Sequence, residues 1–380
     1  MTELPTTASN SVPGAQPRQS LSKELPRVAH IVPYDGLGGV ETAVRSMEAG
    51  DNGCILLHKC FISKSERSHR DDRYEHHGAS KSEYSLGNYW AGYRYLRATK
   101  PDIIIASLWR SVILMGLASF LGVRGSKIVF LHLPRSIHAA DFVLNLAAMI
   151  FSHRIWTDSD ATLEQRVPRT LRWKARTISF LTRTVSHKTA TSPAPKFIFW
   201  GRINAQKGLD RAIRIFATIR RHYPLAEFTV IGQDRGGLKG LQTLCDSLQI
   251  GSAVRFLGAR DWNGIAAEAA SHSFYLQTSN FEGMALSVIE AMQMGLVPIV
   301  TPAGEIGNYC RDGVNAIIVK EDQEAAEKVL ALLADGERFK SMAQSAQSEW
   351  AGVTSYRDSV LSACQEALGR QNRHAGVGPT

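Results

Sequence analysis

The sequence predicts an α/β protein built from two Rossmann-like domains whose parallel sheets face each other across a cleft. Three observations carry that expectation. Apolar runs of strand length alternate with helix-patterned segments along most of the chain, as expected for parallel strands covered on both faces. The alternation breaks once, at Thr189-Ala-Thr-Ser-Pro-Ala-Pro195, which has linker composition. The chain's 380 residues also exceed the ~150 residues typical of a single domain.

The elements follow in order. Arg27-Val-Ala-His-Ile-Val-Pro33 is an apolar run that meets Tyr34-Asp-Gly-Leu-Gly-Gly39, after which Val40, Val44 and Met47 recur at helical spacing. This reads as strand, glycine loop and helix. Further strands are expected at Gly53–His58, Asp102–Ser107, Lys127–Leu131 and Arg154–Thr157. Lys196-Phe-Ile-Phe-Trp200 then opens a second series, continued at Glu227–Ile231, Ala253–Leu257, Phe274–Gln277, Val297–Val300 and Ala316–Val319. From Gln323 to Leu368 the pattern is helical. The expected organisation is a disordered tail over 1–25, a first domain over 26–190 and a second over 191–350. A helix over 351–368 is expected to pack back on the first domain, followed by a tail over 369–380.

Composition narrows the class. With 44% hydrophobic and 21% charged residues the chain can bury a sizeable core. The Ser-, Thr- and Pro-rich start lacks the apolar run of a secretory signal, and Val112–Val123 and Phe142–Phe151 fall short of the ~20 residues that cross a bilayer. A cytoplasmic protein is therefore expected. Cys54, Cys60, Cys245, Cys310 and Cys364 are scattered without a CxxC pair, so reduced structural thiols are the default.

The net charge of +9 is uneven: residues 1–200 balance at +10 and residues 201–380 at −1. Between Glu164 and Asp210 no acidic residue occurs, while Arg166, Arg169, Arg172, Lys174, Arg176, Arg183, Lys188, Lys196, Arg202 and Lys207 do. A solvated basic surface and a face for anionic membrane lipid both fit this run. Peripheral contact with the inner face of the plasma membrane is the expectation noted here, and no nucleic-acid partner is expected.

The chemistry concentrates in Asn280-Phe-Glu-Gly-Met-Ala-Leu-Ser-Val-Ile-Glu-Ala-Met-Gln-Met-Gly295, where Glu282 and Glu290 flank a strand-to-helix junction. Gly283 permits close backbone approach, and the free amides of Met284, Ala285 and Leu286 form a helix N-terminus suited to a diphosphate. Glu290 follows at roughly 9 Å along the axis, about the span from a hexose to a ribose across a pyrophosphate. Carboxylates beside phosphate require cations, and Trp200-Gly-Arg-Ile-Asn-Ala-Gln-Lys-Gly208 supplies Arg202 and Lys207 after a strand.

Taken together, the Gly201-Arg202 to Lys207-Gly208 loop, Val230-Ile-Gly232, Phe256-Leu-Gly258 and the Glu282 to Glu290 pair resemble the donor-binding domain of retaining glycosyltransferases of family 4, with the GT-B fold. The resemblance covers most of 196–350. It implies that Arg202 and Lys207 bind the diphosphate of a UDP- or GDP-sugar, that Glu290 binds ribose, that Glu282 touches the transferred sugar, and that the base sits near Arg260. Gly232 and the segment Gly283 to Leu286 complete the nucleotide-sugar site. In the first half Gly38-Gly39-Val40-Glu41 matches the family's glycine loop, so Gly39 is expected at the donor phosphate and Gly38 at the acceptor. His132, in Val129-Phe-Leu-His-Leu-Pro134, aligns with the family's cleft histidine; Arg135 and His138 lie close enough in sequence to meet the acceptor. The stretch Ile178-Ser-Phe-Leu-Thr-Arg183 departs from the family's usual Asn-Gly pair.

Asp158-Ser-Asp160 has the form of a metal-binding DxD, but its place between a strand and a helix makes capping by Ser159 or Asp160 the better account. No metal and no cofactor are expected; the nucleotide-diphosphate sugar is a co-substrate. The activity implied is transfer of a hexose-type sugar, with retention, to a glycan or lipid-linked acceptor in surface polysaccharide or glycolipid synthesis. A GT-B epimerase or phosphorylase and a non-catalytic sugar-nucleotide-binding subunit are the competing readings.

Overall fold

A computed structural model describes residues 24–36, 38–64, 73–185 and 192–375, with side chains described only to 369 at the C-terminal end. The N-terminal tail, Lys188 of the basic run, the expected domain boundary at 190 and the last five residues lie outside the described residues.

The first sheet holds β1 (Arg27–Val32), β2 (Gly50–Asp51), β3 (Leu56–Phe61), β4 (Glu75–His77), β5 (Ile103–Ser107), β6 (Ser126–Leu131), β7 (Arg154–Thr157) and β8 (Ala175–Thr177). Its order is β2-β3-β1-β5-β6-β7-β8 with β4 also on β3, and every pair except β2–β3 is parallel. The second sheet holds β9 (Lys196–Trp200), β10 (Glu227–Ile231), β11 (Val254–Phe256), β12 (Phe274–Gln277), β13 (Val297–Val300) and β14 (Ile317–Ile318). It is parallel throughout, in the order β11-β10-β9-β12-β13-β14.

Both sheets are doubly wound, because the chain reverses direction along each sheet beside its first strand. Such reversal points, between β1 and β5 and between β9 and β12, open a crevice at the carboxyl ends of the strands. The glycine loop after β1, the loop holding Arg202 and Lys207 after β9 and the segment holding Glu282 after β12 all emerge there.

The buried strands are continuous apolar runs: Phe197, Ile198 and Phe199 pack with Phe228, Phe274 and Tyr275 in the second core, while Val28, Ile103, Ile105, Ile128 and Phe130 line one face of the first sheet. The C-terminal helix, Tyr356–Ala375, covers that face with Tyr356, Val360, Ala363, Cys364 and Ala367. It runs past the expected end at 368, continuing through Gly369 to Ala375. The strand expected at Gly53–His58 is shifted to Leu56–Phe61, where Leu56–Phe61 pair in register with Arg27–Val32. The short strands β2, β4 and β8 carry too few residues for periodicity to announce them.

Candidate functional site

Lys207 and Glu282 meet between the loop after β9 and the segment after β12. Lys207 Nζ lies 2.7 Å from Glu282 Oε1, and both side chains are nearly buried, at 10% and 7% exposure. The same oxygen accepts from Ser279 Oγ at 2.6 Å and Gln277 Nε2 at 3.2 Å. Three donors on one oxygen fix the carboxylate and leave its Oε2 outside these contacts, oriented by its partner atom rather than by solvent. Gln277 is itself held by Tyr275 Oη (2.7 Å) and Ser287 Oγ (3.1 Å). Arg202 makes no ion pair or side-chain hydrogen bond among the described residues, and its charge acts across the cleft on Glu41 and Tyr34 of the first domain.

The helix Leu286–Gln293 starts behind a turn at Ala285, whose φ of 53° lies in the left-handed region. Among the described residues no hydrogen bond is made by the backbone N–H groups of Met284, Ala285, Leu286 and Ser287. This helix N-terminus carries partial positive charge and free donors, which is the physical requirement for holding an anion. Opposite it stands Gly39, which begins the helix Gly39–Arg45; a Cβ on Gly39 would lie 3.6 Å from Leu286 Cδ1. Two helix N-termini, one from each domain, thus converge.

Glu290, on the second turn of its helix, receives Trp200 Nε1–H at 2.9 Å and faces Arg183 Nε at 3.3 Å. Burial pushes its carboxyl above the usual range, against the pull of Trp200 and Arg183. The Arg183 guanidinium also lies over the Trp262 ring at 4.2 Å. Arg183 comes from the stretch that departs from the family pattern, and its pairing with Glu290, like the part played by Trp200 and Trp262, leaves no local signal in the sequence.

The two domains touch at Gly283. A Cβ there would fall 2.5 Å from the His132 carbonyl oxygen and 2.6 Å from Asp158 Oδ2, so only glycine permits this approach. His132 is buried at the end of β6 with Nε2 2.9 Å from Ser107 Oγ and Nδ1 without a partner. Ser107 Oγ also lies 2.8 Å from His30 Nε2. One hydroxyl serves two imidazoles, donating to one and accepting from the other, and burial holds His132 well below its ordinary pKa.

Asp158 Oδ1 accepts from Ser159 Oγ (3.0 Å) and Thr162 Oγ1 (2.8 Å), and Ser159 caps the helix Asp160–Arg166. Burial pushes the Asp158 carboxyl up to about 7, with Glu305 adding to the effect. Glu305, which sequence reasoning missed, crosses from the second domain to accept the Ala161 N–H at 2.8 Å in that same helix.

The remaining expected residues are more dispersed. Gly232 ends β10, where a Cβ would strike the Gly201 carbonyl oxygen at 1.7 Å, so it seats the Arg202 loop. Arg260 is exposed, two residues before Trp262. Gly38 caps the helix Gly39–Arg45, with the buried Glu41 carboxylate folded against it. His138 accepts the Asp141 N–H on Nδ1 as the cap of the helix Ala139–Phe151, which leaves Nε2 for any further contact. Arg135 is exposed on the preceding loop. The basic run does not form one face either. Arg166 pairs with Asp141, Arg176 with Glu366, Arg183 with Glu290 and Lys207 with Glu282, the last inside the cleft.

Two doubly wound domains with a cationic cleft between their strand ends define the GT-B architecture, and the chain has that fold. Residues 184–349 match the family described as glycosyl transferases group 1. Over 173 residues the chain is 24% identical to the GDP-mannose:cellobiosyl-diphosphopolyprenol alpha-mannosyltransferase of Xanthomonas oryzae pv. oryzae, covering 43% of this chain and 46% of that protein. Over 177 residues it is 28% identical to the enzyme of the same name from Komagataeibacter xylinus, covering 43% and 44%. The chain thus aligns with less than half the length of these curated relatives. Among solved structures, Anabaena HepE in complex with UDP and glucose superposes with a TM-score of 0.73 at 16% identity, over 91% of this chain and 100% of that one.

Proposed function

We propose that the protein is a retaining glycosyltransferase of family 4 type, which moves a hexose-type sugar from a UDP- or GDP-sugar to a glycan or lipid-linked acceptor. The observation that carries this reading is the buried Lys207–Glu282 pair set beside a helix N-terminus whose amides are unbonded among the described residues, with Arg202 acting across the cleft on Glu41 without an ion pair or hydrogen bond. The names of the relatives support it: two are GDP-mannose-dependent transferases acting on a diphosphopolyprenol-linked sugar, and HepE holds UDP and glucose.

In this mechanism the diphosphate lies on the N–H groups of Met284 to Ser287, clamped by Arg202 and Lys207. Glu282 and Glu290 accept hydroxyl hydrogen bonds from the sugar and the ribose on either side. As the bond from the anomeric carbon to the diphosphate oxygen breaks, its electron pair moves onto the β-phosphate, where fixed donors stabilise it without reorganising. The acceptor hydroxyl, entering from the side of His132 and Gly39, bonds to the anomeric carbon on the same face and gives its proton to the departing diphosphate. Arg202, Lys207 and the helix N-terminus meet the developing charge, and the proposal assigns no metal or cofactor.

The test has two stages. Thermal shift against UDP-glucose, GDP-mannose, UDP and GDP is expected to show one base raising the melting temperature, by RT ln(1 + [L]/Kd) in free energy. Turnover is then measured with diphosphopolyprenol-linked saccharides, with and without EDTA. Acceptor-dependent release of nucleoside diphosphate, unaffected by EDTA, is expected. Donor conversion without acceptor identifies an epimerase, a requirement for free phosphate a phosphorylase, and binding without turnover an idle subunit.

A further inference from the structure

The helix Ala139–Phe151 buries its polar residues together with Ala148 and Met149 and leaves other apolar residues uncovered. Asp141 and Asn145 point inward: Asp141 pairs with Arg166 at 2.8 Å and accepts from Asn145 Nδ2 at 2.7 Å. The exposed face is apolar. Phe142 is 54% and Phe151 79% exposed, Val143 and Ile150 are exposed with them, and half-buried Leu146 and Ala147 continue the stripe at helical spacing. No charged side chain interrupts this outer face.

The stripe extends beyond the helix. The neighbouring helix Trp109–Phe120 ends in Phe120, 89% exposed, next to exposed Leu121, and Ile137 is exposed on the approach. At the far end Lys174 Nζ donates to the carbonyls of Ile150 and Ser152, bringing in Trp173, which is 76% exposed. Half-buried Lys127 and Arg154 stand beside His153, two residues past the helix, with the buried Lys174 behind them, and Arg135 lies exposed beyond the other end. The acidic groups nearby are Asp141 and Glu366, spent on Arg166 and Arg176, and exposed Glu164.

We infer that this face docks on the surface of an anionic bilayer, with Phe142, Val143, Ile150 and Phe151 entering the headgroup boundary. An apolar stripe of this size on a soluble domain marks an interaction surface. Aromatic and aliphatic residues rimmed by Lys and Arg match a headgroup layer that is apolar beneath and negative above. A second copy fits less well. Cations stand at both ends of the stripe, so a two-fold contact sets like charges against each other in either orientation of the helices. The inference does not rest on the proposed transferase activity.

The test is flotation of the full chain with phosphatidylcholine vesicles that contain phosphatidylglycerol, beside phosphatidylcholine alone. The wild type is expected to float with the anionic vesicles and to lose binding in high salt. Phe142→Ser combined with Phe151→Ser is expected to weaken binding at least about tenfold while leaving the melting temperature intact, because both side chains are exposed. Lys127→Glu with Arg154→Glu is expected to abolish the preference for anionic lipid. Quenching of Trp173 by bromine-labelled acyl chains gives a second readout. Equal flotation of the serine variant and the wild type overturns the inference. So does a wild type that stays with the protein fraction and scatters light as a dimer that the serine variant dissolves.

Discussion

The two domains solve the same folding problem and leave different residues. In the second, buried polar groups are largely accounted for: Glu282 takes three donors on one oxygen, Gln277 is held by two hydroxyls, and, away from the cleft, Asn315 spans Arg311, Tyr309 and Glu349. In the first, buried atoms of His58, His76, His132 and Asn145 have no hydrogen-bond partner, whereas the second contributes only Asn204 among the described residues. Exposed aromatics divide the same way, with Tyr84, Trp90, Phe120, Phe142, Phe151 and Trp173 all before residue 190. A side that must grip one rigid anion is best pre-organised. The unsatisfied and uncovered groups, by contrast, belong to the domain to which the proposed function assigns the acceptor.

The sharpest way to break this comparison is to open the buried ion pair. Lys207→Ala leaves the nearly buried Glu282 without its cation, and removal of one partner of a buried pair costs about 3–5 kcal/mol. Urea unfolding of Lys207→Ala and of Glu282→Gln is expected to show such losses, and the double variant is expected to recover a large part of them. A Lys207→Ala midpoint equal to that of the wild type would show that the pair is held in place by the fold without contributing to it.

Arg202 gives the opposite prediction within the same pocket. It has no partner among the described residues, so Arg202→Ala is expected to leave stability unchanged within about 0.5 kcal/mol. Nucleotide-sugar affinity, measured by calorimetry, is expected to fall about 10- to 100-fold, as for the loss of a charge-assisted hydrogen bond worth ~1.5–3 kcal/mol. If Arg202→Ala binds as well as the wild type, Lys207 alone clamps the phosphates.

The domains also differ in how much of them the sequence makes legible. Strands β9, β10, β12 and β13 show as uninterrupted apolar runs because both faces of their sheet are covered, and the Glu282–Glu290 spacing is a local pattern that survives in one dimension. Arg183 on Glu290, Glu305 on the Ala161 N–H and His30 sharing Ser107 with His132 are contacts between segments 77 to 144 residues apart, which no window of sequence contains. The helix Ala139–Phe151 is legible only as an apolar stretch; the partner of its buried Asp141 is Arg166, 25 residues on. His138 illustrates the reverse limit: its nearness in sequence to His132 suggests an acceptor contact, and nothing in that nearness announces that Nδ1 caps the helix Ala139–Phe151.

Asp158, at the seam, sharpens the comparison through pH. Its carboxyl titrates near 7 in the folded chain and near 3.9 when unfolded. Between those values the native state keeps a proton that the unfolded chain has released, so this group makes stability fall as pH rises from about 4 to 7 and level off above. The slope it can add is at most about 1.4 kcal/mol per pH unit. Glu305 is the charged neighbour that opposes its ionisation; Ser159 and Thr162 favour it. Asp158→Asn, which keeps an acceptor for both hydroxyls, is expected to flatten the profile of urea midpoints between pH 5 and 8. An unchanged profile would mean that Asp158 is ionised throughout.

The smallest effect is expected at Ala285, and it tests whether pre-organisation in the second domain is local or imposed. A left-handed alanine costs about 1–2 kcal/mol, so Ala285→Gly relieves strain. Glycine gains ~0.5–1 kcal/mol of unfolded-state entropy and loses a buried methyl worth about 0.8 kcal/mol, so these terms nearly cancel and unfolding midpoints are expected to stay close to the wild type. The turn is not left to residue 285 alone: Tyr309 Oη donates to the Met284 carbonyl at 3.0 Å, and the Glu305 N–H donates to the Gly283 carbonyl at 3.1 Å. With neighbours that over-determine the conformation, Ala285→Gly is expected to bind nucleotide sugar within about twofold of the wild type, a difference below ~0.5 kcal/mol. A loss of tenfold or more would locate the rigidity of the anion site in that one backbone dihedral, and the contrast between a fixed second domain and an adaptable first would then rest on a single residue.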